Sequence, residues 1–186
     1  MRTLLFSFSL MTMVALTGCA GVPQVRLPQD VAPVTNFDTQ KYLGKWYEIA
    51  RLEHSSEKGL SDITATYSLR DDGGIKVVNR GYDAVKDEWR TAEGKAYPVG
   101  SPDTGYLKVS FFGPFYGSYV VFNLDTDYQY SFVTGPDKNY LWLLSRTPRA
   151  SDEVLTRFIS EAYKLGYDID KLIYVDQSRS ISSMPQ

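Results

Sequence analysis

The sequence is poor in the residues that build covalent or metal-bound scaffolds, since its 186 residues include one Cys and one His. A single Cys excludes an internal disulfide framework and a Cys-rich zinc site, and a single His excludes a multi-His metal centre. We therefore expect no metal and no cofactor. The chain also lacks an excess of one charge, because 20 Lys and Arg face 22 Asp and Glu for a net charge of -2. A protein that holds nucleic acid electrostatically usually has a basic excess, so no nucleic-acid partner is expected.

A hydrophobic run long enough to cross a membrane is missing as well. The longest one, from Leu4 to Leu16, covers about 13 residues, whereas a helix needs about 20 to cross a bilayer. With Arg2 before it, this run is typical of a secretory signal peptide, which is removed from the mature protein. We place the signal peptide at residues 1–18.

The end of the signal peptide and the residue after it read Leu16-Thr17-Gly18-Cys19, which resembles the lipobox of bacterial lipoproteins. The resemblance implies that Cys19 is the lipid attachment site and the first residue of the mature chain. Acyl chains there would hold the protein on a membrane, since each buried methylene contributes about 0.8 kcal/mol. Ala20, where such proteins carry Asp for inner-membrane retention, implies the outer membrane, with the domain facing the periplasm. A plain signal peptide with a chance Cys is the alternative.

The stretch from residue 19 to residue 36 contains Pro23, Pro28 and Pro33, which interrupt helices and central strands. We interpret it as a lipid-anchored, extended tether that lifts the folded domain off the membrane. An ordinary frayed N-terminus is the alternative, and both interpretations predict a loose segment.

From residue 44 onward, short runs rich in Tyr, Val and Thr alternate with turn residues such as Gly, Pro and Asp. Ile63, Ala65 and Tyr67 alternate with polar residues, which is typical of a strand with one apolar face. A spacing of about 10–13 residues between strands is typical of a sandwich or barrel. The predicted strands are Gly44–Leu52, Asp62–Arg70, Gly74–Tyr82, Glu88–Tyr97, Gly105–Phe112, Tyr116–Leu124, Tyr128–Thr134 and Tyr140–Ser145.

One amphipathic helix is predicted after these strands. Ser151 can cap it, Asp152 and Glu153 suit its first turn, and Gly166 ends it. Its apolar face has to cover an apolar surface, most simply the outside of the sheet. A short ninth strand is expected at residues 172–175, and residues 177–186 form a polar tail that we expect to be loose.

These elements predict an all-β fold in which eight antiparallel strands close into an up-and-down barrel without free edges. The interior of an eight-stranded barrel is either filled by side chains or just wide enough for one small ligand. Ala92, Gly94 and Ala96 share one face of the fourth strand and would fill space poorly, which favours a cavity. The alternative is that facing aromatic side chains fill the gap.

Three sequence motifs occur in order at Gly44–Arg51, Asp125–Tyr128 and Leu144–Pro148. They resemble the Gly-x-Trp, Thr-Asp-Tyr and Arg motifs of the lipocalin family, and the similarity covers the predicted barrel domain, residues 37–176. The resemblance implies that Trp46 plugs the closed end of the barrel and that Arg146 packs across it, which suits a guanidinium over an indole. Many secreted lipocalins contain disulfides, whereas this chain has a single Cys and can form none internally. Its barrel must therefore be stabilised by its core and its hydrogen bonds alone.

Side-chain alternation predicts which residues face the interior, although a slip of one residue reverses every assignment on a strand. The candidate ligand-binding residues are Ala50, Leu52, Ala65, Tyr67, Val77, Ala92, Ala96, Val109, Phe111, Tyr130, Phe132 and Trp142. Glu48 shares the face of Trp46, and a buried carboxylate needs a partner. We expect a structural ion pair or hydrogen bond near the barrel floor, with an anchor for a ligand head group as the alternative. His54 is expected to be a solvated residue of the first loop, at the rim of the open end, with a pH-sensitive contact as the alternative.

The lipobox resemblance implies a membrane-tethered protein. The lipocalin resemblance implies that it stores or transports fatty acids or lysophospholipids in an apolar cavity, for maintenance of the cell envelope. A structural or interaction lipoprotein with a filled barrel is one alternative. An isomerase-type enzyme is another, but the sequence has no Gly-x-Ser-x-Gly elbow, phosphate loop or metal-ligand pair, so we expect no enzyme. The aromatic run at residues 111–116 predicts either an exposed patch for a homodimer or partner, or a hairpin that covers one end of the barrel.

Overall fold

The computed structural model describes residues 25–183. The predicted signal peptide, Cys19 and Ala20 lie outside the described residues. The strands formed within 25–183 are β1 (Gly44–Leu52), β2 (Leu60–Leu69), β3 (Ile75–Asp83), β4 (Glu88–Pro98), β5 (Tyr106–Ser110), β6 (Gly117–Leu124), β7 (Tyr130–Thr134), β8 (Leu141–Ser145) and β9 (Leu172–Tyr174). The helices are α1 (Thr39–Tyr42), α2 (Asp152–Lys164) and α3 (Ser178–Ser182), and Ile169–Lys171 forms a 3-10 turn.

The sheet closes on itself. Each strand from β1 to β8 pairs antiparallel with the next, and β1 also pairs with β8. Strand β9 adds to β1 as a ninth strand, with Ala50 opposite Tyr174 and Leu52 opposite Leu172. The predicted eight-stranded up-and-down barrel with a helix and a ninth strand is therefore confirmed, and the ends of the eight barrel strands lie within two residues of the predicted ones.

Helix α2 covers the outside of the barrel. The hydroxyl of Ser151 caps its first turn, and its apolar face buries Phe158 and Ala162 completely. The ring of Phe158 meets that of Phe132 edge to face, with 5.1 Å between the ring centres. The barrel wall thus carries apolar side chains on both faces, one set inside the barrel and one set, here called the outer core, beneath α2.

A β-bulge reverses the direction of the side chains in the second half of β1. The pairing of β1 with β8 shifts between Glu48 and Ala50, which inserts one extra residue into the strand. Ala50 and Leu52, predicted to face inward, therefore lie in the outer core. Arg51 points inward instead and is opposite Trp142 on β8. The prediction was wrong because strict alternation does not register a bulge.

Tyr130 and Phe132 on β7 were also predicted to face inward and lie in the outer core. Phe132 is fully buried there, and the hydroxyl of Tyr130 accepts a hydrogen bond from Arg157 Nη1 at 2.9 Å. The inward-facing residues of β7 are Ser131 and Val133. Because β7 is covered by α2 on one side and by the barrel core on the other, its composition does not distinguish the two faces.

The N-terminal segment, residues 25–36, is held against the barrel wall, although we expected it to belong to a loose tether. The amide of Val34 donates to the Val121 carbonyl at 2.9 Å, and the amide of Gly105 donates to the Val34 carbonyl at 2.8 Å. Val31 is buried. Proline keeps this segment out of regular structure but leaves its carbonyls and neighbouring amides free to bond.

The start of the C-terminal tail is fixed as well, which differs from the loose tail that we expected. Gln177 is 4% exposed, and its Nε2 donates to the carbonyls of Glu48 at 2.9 Å and Ile63 at 2.8 Å. Glu48 and Ile63 lie just past Tyr47 of β1 and Thr64 of β2, the last two residues that pair directly. The two strands separate there and leave a seam between them. One buried amide therefore joins the strands at this seam.

Candidate functional site

One end of the barrel is closed by Trp46 and helix α1. Trp46 is fully buried, and its Nε1 donates to the carbonyl of Tyr42 at 2.8 Å. The guanidinium of Arg146 lies over the indole, with Cζ 3.9 Å from the ring centre. It also donates to the carbonyls of Lys41 at 2.7 Å and Lys45 at 2.9 Å. A guanidinium can stack and donate at the same time, so this side chain ties α1 and β1 together across the closed end.

Above this floor, three tyrosine hydroxyls form a chain inside the barrel. The hydroxyl of Tyr119 lies 2.7 Å from that of Tyr42 and 2.9 Å from that of Tyr67, and the Tyr42 hydroxyl lies 3.1 Å from Ser131 Oγ. Burial raises the pKa of Tyr42 to about 12, and it raises the pKa of Tyr67 and of Tyr119 well above the usual value, because a phenolate would be poorly solvated there. The lower part of the interior is therefore filled by neutral aromatic side chains.

Nearer the open end, a charged cluster occupies one side of the interior. Arg51 Nη1 donates to Glu48 Oε1 at 3.1 Å, and the two side chains are only 2% and 4% exposed. Arg51 Nη2 donates to the carbonyl of Glu57 at 2.9 Å, and Trp142 Nε1 donates to Glu57 Oε2 at 3.3 Å. His54 Nε2 lies 2.8 Å from the same Glu57 oxygen. His54 is thus packed into the cluster, and our expectation of a solvated loop residue was wrong.

The two carboxyl groups of this cluster have different proton affinities. Burial raises the pKa of Glu48 well above its usual value, the nearby Glu57 carboxylate adds to the effect, and Arg51 opposes it. Burial also disfavours ionisation of Glu57, but hydrogen bonds from His54 and Trp142 together with the charges of His54 and Arg51 bring its pKa below the usual value. The cluster therefore holds its negative charge on Glu57, at the mouth, and its more basic carboxyl group deeper in the barrel.

Small side chains line part of the inner face of β2, β3 and β4. Ala65, Asn79 and Ala92 are directly paired across the three strands and share that face. Ala92 is exposed, so protein side chains do not fill the interior at this level. Asn79 Oδ1 is buried and has no hydrogen-bond partner among residues 25–183. A Cβ on Gly94 would come within 2.8 Å of the Phe111 ring, so the glycine lets this ring lie against the strand.

Eight of the predicted inward-facing residues lie on the inner face of the barrel, and their part in ligand binding remains a prediction. They are Ala65, Tyr67, Val77, Ala92, Ala96, Val109, Phe111 and Trp142.

Sequence reasoning missed several polar groups of the interior, among them Arg51, Asn79 and Tyr119. Alternation from Val121 along β6 could have placed Tyr119 inside, and alternation from Val77 could have placed Asn79 there. No pattern indicated Arg51, because its inward direction depends on the bulge in β1.

The open end lies opposite Trp46. Because the strands are antiparallel, four connections meet there, residues 53–59, 84–87, 111–116 and 135–140. Phe112 and Phe115 are 81% and 76% exposed, so the hairpin at 111–116 presents these two rings to the surroundings. Its use as a homodimer or partner surface remains a prediction.

Within residues 25–183, no three His, Cys, Asp or Glu side chains are grouped so that they could hold a metal ion. In the same part of the chain no helix is both long and apolar enough to cross a membrane; α2, for example, has 13 residues.

A closed meander of eight antiparallel strands, with a Trp–Arg pair across one end and a helix on the outer wall, is the lipocalin fold. A family model described as a lipocalin-like domain matches residues 37–177. The chain belongs to the lipocalin-like domain family.

The chain is similar in sequence to bacterial members of this family. It is 56% identical over 171 residues to the outer membrane lipoprotein Blc of Vibrio cholerae serotype O1, covering 91% of this chain and 97% of that one. It is 54% identical over 153 residues to Blc of Escherichia coli K12, covering 82% and 86%. Insecticyanin from the tobacco hornworm Manduca sexta is a similar solved structure, with a TM-score of 0.65, 26% identity and coverage of 83% and 88%. Like its bacterial relatives, the chain is a lipid-anchored protein of the outer membrane.

Proposed function

We propose that this lipocalin binds single-tailed lipids, fatty acids or lysophospholipids, and stores or transports them at the outer membrane for maintenance of the cell envelope. Cys19 carries the anchor, the apolar tail lies in the upper interior of the barrel, and the head group stays near the mouth. The lipid leaves the barrel chemically unchanged.

The observation that carries the proposal is the unfilled inner face around Ala92. This face combines small residues with apolar ones, Val77 and Val109, which suits a narrow hydrocarbon chain better than a bulky ring. Burying about a dozen methylenes is worth on the order of 10 kcal/mol before entropic costs. Micromolar affinity is therefore within reach without further polar contacts.

Polar groups near the mouth support the orientation of the head group. Glu57 and His54 lie at the mouth, while Arg51 Nε is buried and has no hydrogen-bond partner in the described part of the chain. A donor of this kind can bind a phosphate or carboxylate oxygen. A head group near the mouth reaches this cluster without passing Tyr42, Tyr67 and Tyr119, which lie deeper in the barrel.

The test is displacement of a fluorescent fatty acid from the mature chain, with and without a block in the interior. Ala92→Trp fills the inner face at the proposed tail site and is expected to weaken binding at least tenfold. Thr91→Trp puts the same ring on the neighbouring outward-facing, exposed position and is expected to bind as the natural chain does.

If no fatty acid or lysophospholipid displaces the probe, a structural or interaction lipoprotein is the better interpretation. If the lipid recovered after incubation has an unchanged mass but elutes on chromatography with an isomer of the lipid that was added, the protein is an enzyme of the isomerase type.

A further inference from the structure

The N-terminal segment runs the length of the barrel and reaches the open end. Thr35 bridges to Thr104 in the connection between β4 and β5, which lies at the closed end. Arg26 is held at the opposite end. Its amide donates to Ser118 Oγ at 2.7 Å, and its Nε donates to the carbonyl of Pro136, in the connection between β7 and β8, at 3.2 Å.

This course of residues 26–35 limits how far from the open end Cys19 can lie. Cys19 precedes Arg26 by seven residues, which span at most about 25 Å when fully extended. A tether that stayed free to residue 36 would instead reach about 60 Å. The lipid-bearing residue is therefore confined to the neighbourhood of the open end.

The same end of the barrel presents exposed apolar side chains. Val85, at the tip of the hairpin between β3 and β4, is 93% exposed, Phe112 is 81%, Phe115 is 76% and Leu27 is 41% exposed. The hairpin at residues 111–116 contains no charged residue. Four of the eight large hydrophobic side chains that are exposed within residues 25–183 thus lie at this end, and such a group indicates a surface that contacts another apolar phase.

The exposed side chains of Leu27, Val85, Phe112 and Phe115 form an apolar rim around the mouth. From the short anchor and this rim together, we infer that the barrel mouth faces and docks onto the bilayer in which the Cys19 lipid is inserted. The occupant of the rim is the lipid surface itself, and the ligand passes between that surface and the barrel interior without crossing bulk water. The inference rests on the proposed lipid anchor at Cys19 and does not depend on which lipid the barrel binds.

The orientation can be measured on the full lipidated chain in vesicles of phosphatidylethanolamine and phosphatidylglycerol at about 3:1. Because Cys19 is the only Cys and its sulfur carries the diacylglycerol of the proposed anchor, a new Cys carries the only free thiol. A fluorophore is attached at the open end in Lys86→Cys or at the closed end in Asp127→Cys, both of them exposed positions. Brominated acyl chains should quench the open-end label at least threefold more than the closed-end label. Equal or reversed quenching would overturn the inference.

Docking by the rim is separated from mere proximity by a second variant. Phe112→Ser combined with Phe115→Ser should reduce quenching at position 86 at least threefold, whereas Leu69→Ser, an exposed apolar residue at the closed end (52% exposed), should not change it. Unchanged quenching in the double variant would show that the rim does not dock. Failure of the unlabelled protein to float with vesicles would remove the anchor and with it this orientation, and displacement of the fatty acid probe reports the proposed ligand binding separately.

Discussion

The guanidinium of Arg146 lies 3.9 Å from the centre of the Trp46 ring and, at the same time, donates hydrogen bonds to three backbone carbonyls. Two of those carbonyls belong to Lys41 and Lys45, at the end of α1 and the start of β1. The third belongs to Tyr128, in the turn between β6 and β7. One side chain therefore connects three separate parts of the chain around a fully buried indole.

Replacement of Arg146 by Lys should lower the free energy of unfolding by about 2 kcal/mol. The ammonium keeps the charge, but it cannot stack as a plane or donate to three carbonyls in fixed directions, and hydrogen bonds from charged groups are worth about 1.5–3 kcal/mol each. Urea unfolding at neutral pH measures the change. Arg149→Lys, at an exposed position of the same end, should stay within about 0.5 kcal/mol of the natural chain. Equal effects of the two substitutions would mean that Arg146 adds charge only.

The strand order, the capped helix and the ninth strand could be predicted from the sequence because each depends on local pattern. Alternation marks strands, Ser151 and Gly166 mark the helix ends, and turn residues separate the elements. The eight inward-facing assignments that agree with the structure come mainly from β2 to β5, which lack the covering helix. There one face is clearly more polar than the other.

The remaining features depend on contacts between distant parts of the chain. Tyr130 and Phe132 were misplaced because α2 makes the outer face of β7 as apolar as the inner face. Ala50 was misplaced because one bulge shifts the register of β1. Neither effect has a signature within the strand itself. The fixed course of residues 25–36 depends likewise on carbonyls and amides supplied by other elements.

Alkaline solution should destabilise the protein through its buried tyrosines. Burial raises the pKa of Tyr42 to about 12 in the folded chain, from 10 in the unfolded chain, and the shifts of Tyr67 and Tyr119 have the same direction. The unfolded chain therefore releases protons that the folded chain retains. The stabilisation is complete below pH 10 and is lost as the pH rises from 10 toward 12, by about 1.4 kcal/mol per pH unit for each group.

Urea unfolding at pH 9, 10 and 11 tests this dependence. Tyr67→Phe removes one of these groups and should lower the slope by up to about 1.4 kcal/mol per pH unit. Tyr163→Phe, at a side chain that is 69% exposed, should leave the slope unchanged. A slope that is the same in Tyr67→Phe and in the natural chain would contradict the assignment of the effect to these hydroxyls.

Glu48→Gln should gain stability relative to the natural chain as the pH rises from 4 to 8. Burial raises the pKa of Glu48, so the stability that its neutral form contributes is present below the ordinary carboxyl value and is lost as the pH rises toward the raised one. Gln stays neutral throughout and still offers an oxygen to Arg51. Each unit of pKa difference between the folded and unfolded states corresponds to about 1.4 kcal/mol.

The comparison for Glu48 needs unfolding curves of both proteins at pH 4, 6 and 8. Glu53→Gln, at an exposed position in the connection that follows β1, serves as the matched variant. Its stability relative to the natural chain should not change with pH. If the natural chain instead gained on Glu48→Gln with rising pH, Arg51 would be holding Glu48 ionised despite its burial.

Gln177→Ala should open the seam between β1 and β2. The side-chain amide donates to the carbonyls of Glu48 and Ile63 at 2.9 and 2.8 Å in a buried position, and both acceptors lose their donor when it is removed. Buried acceptors without partners cost about 1–3 kcal/mol each, so we expect a loss of at least 2 kcal/mol in the free energy of unfolding.

Hydrogen exchange in Gln177→Ala should accelerate at the amides of β1 beyond Tyr47 and leave β6 and β7 unaffected. Ser182→Ala, an exposed position in α3, should change neither quantity, and protection of β1 that survives Gln177→Ala would mean that β9 alone holds the seam closed.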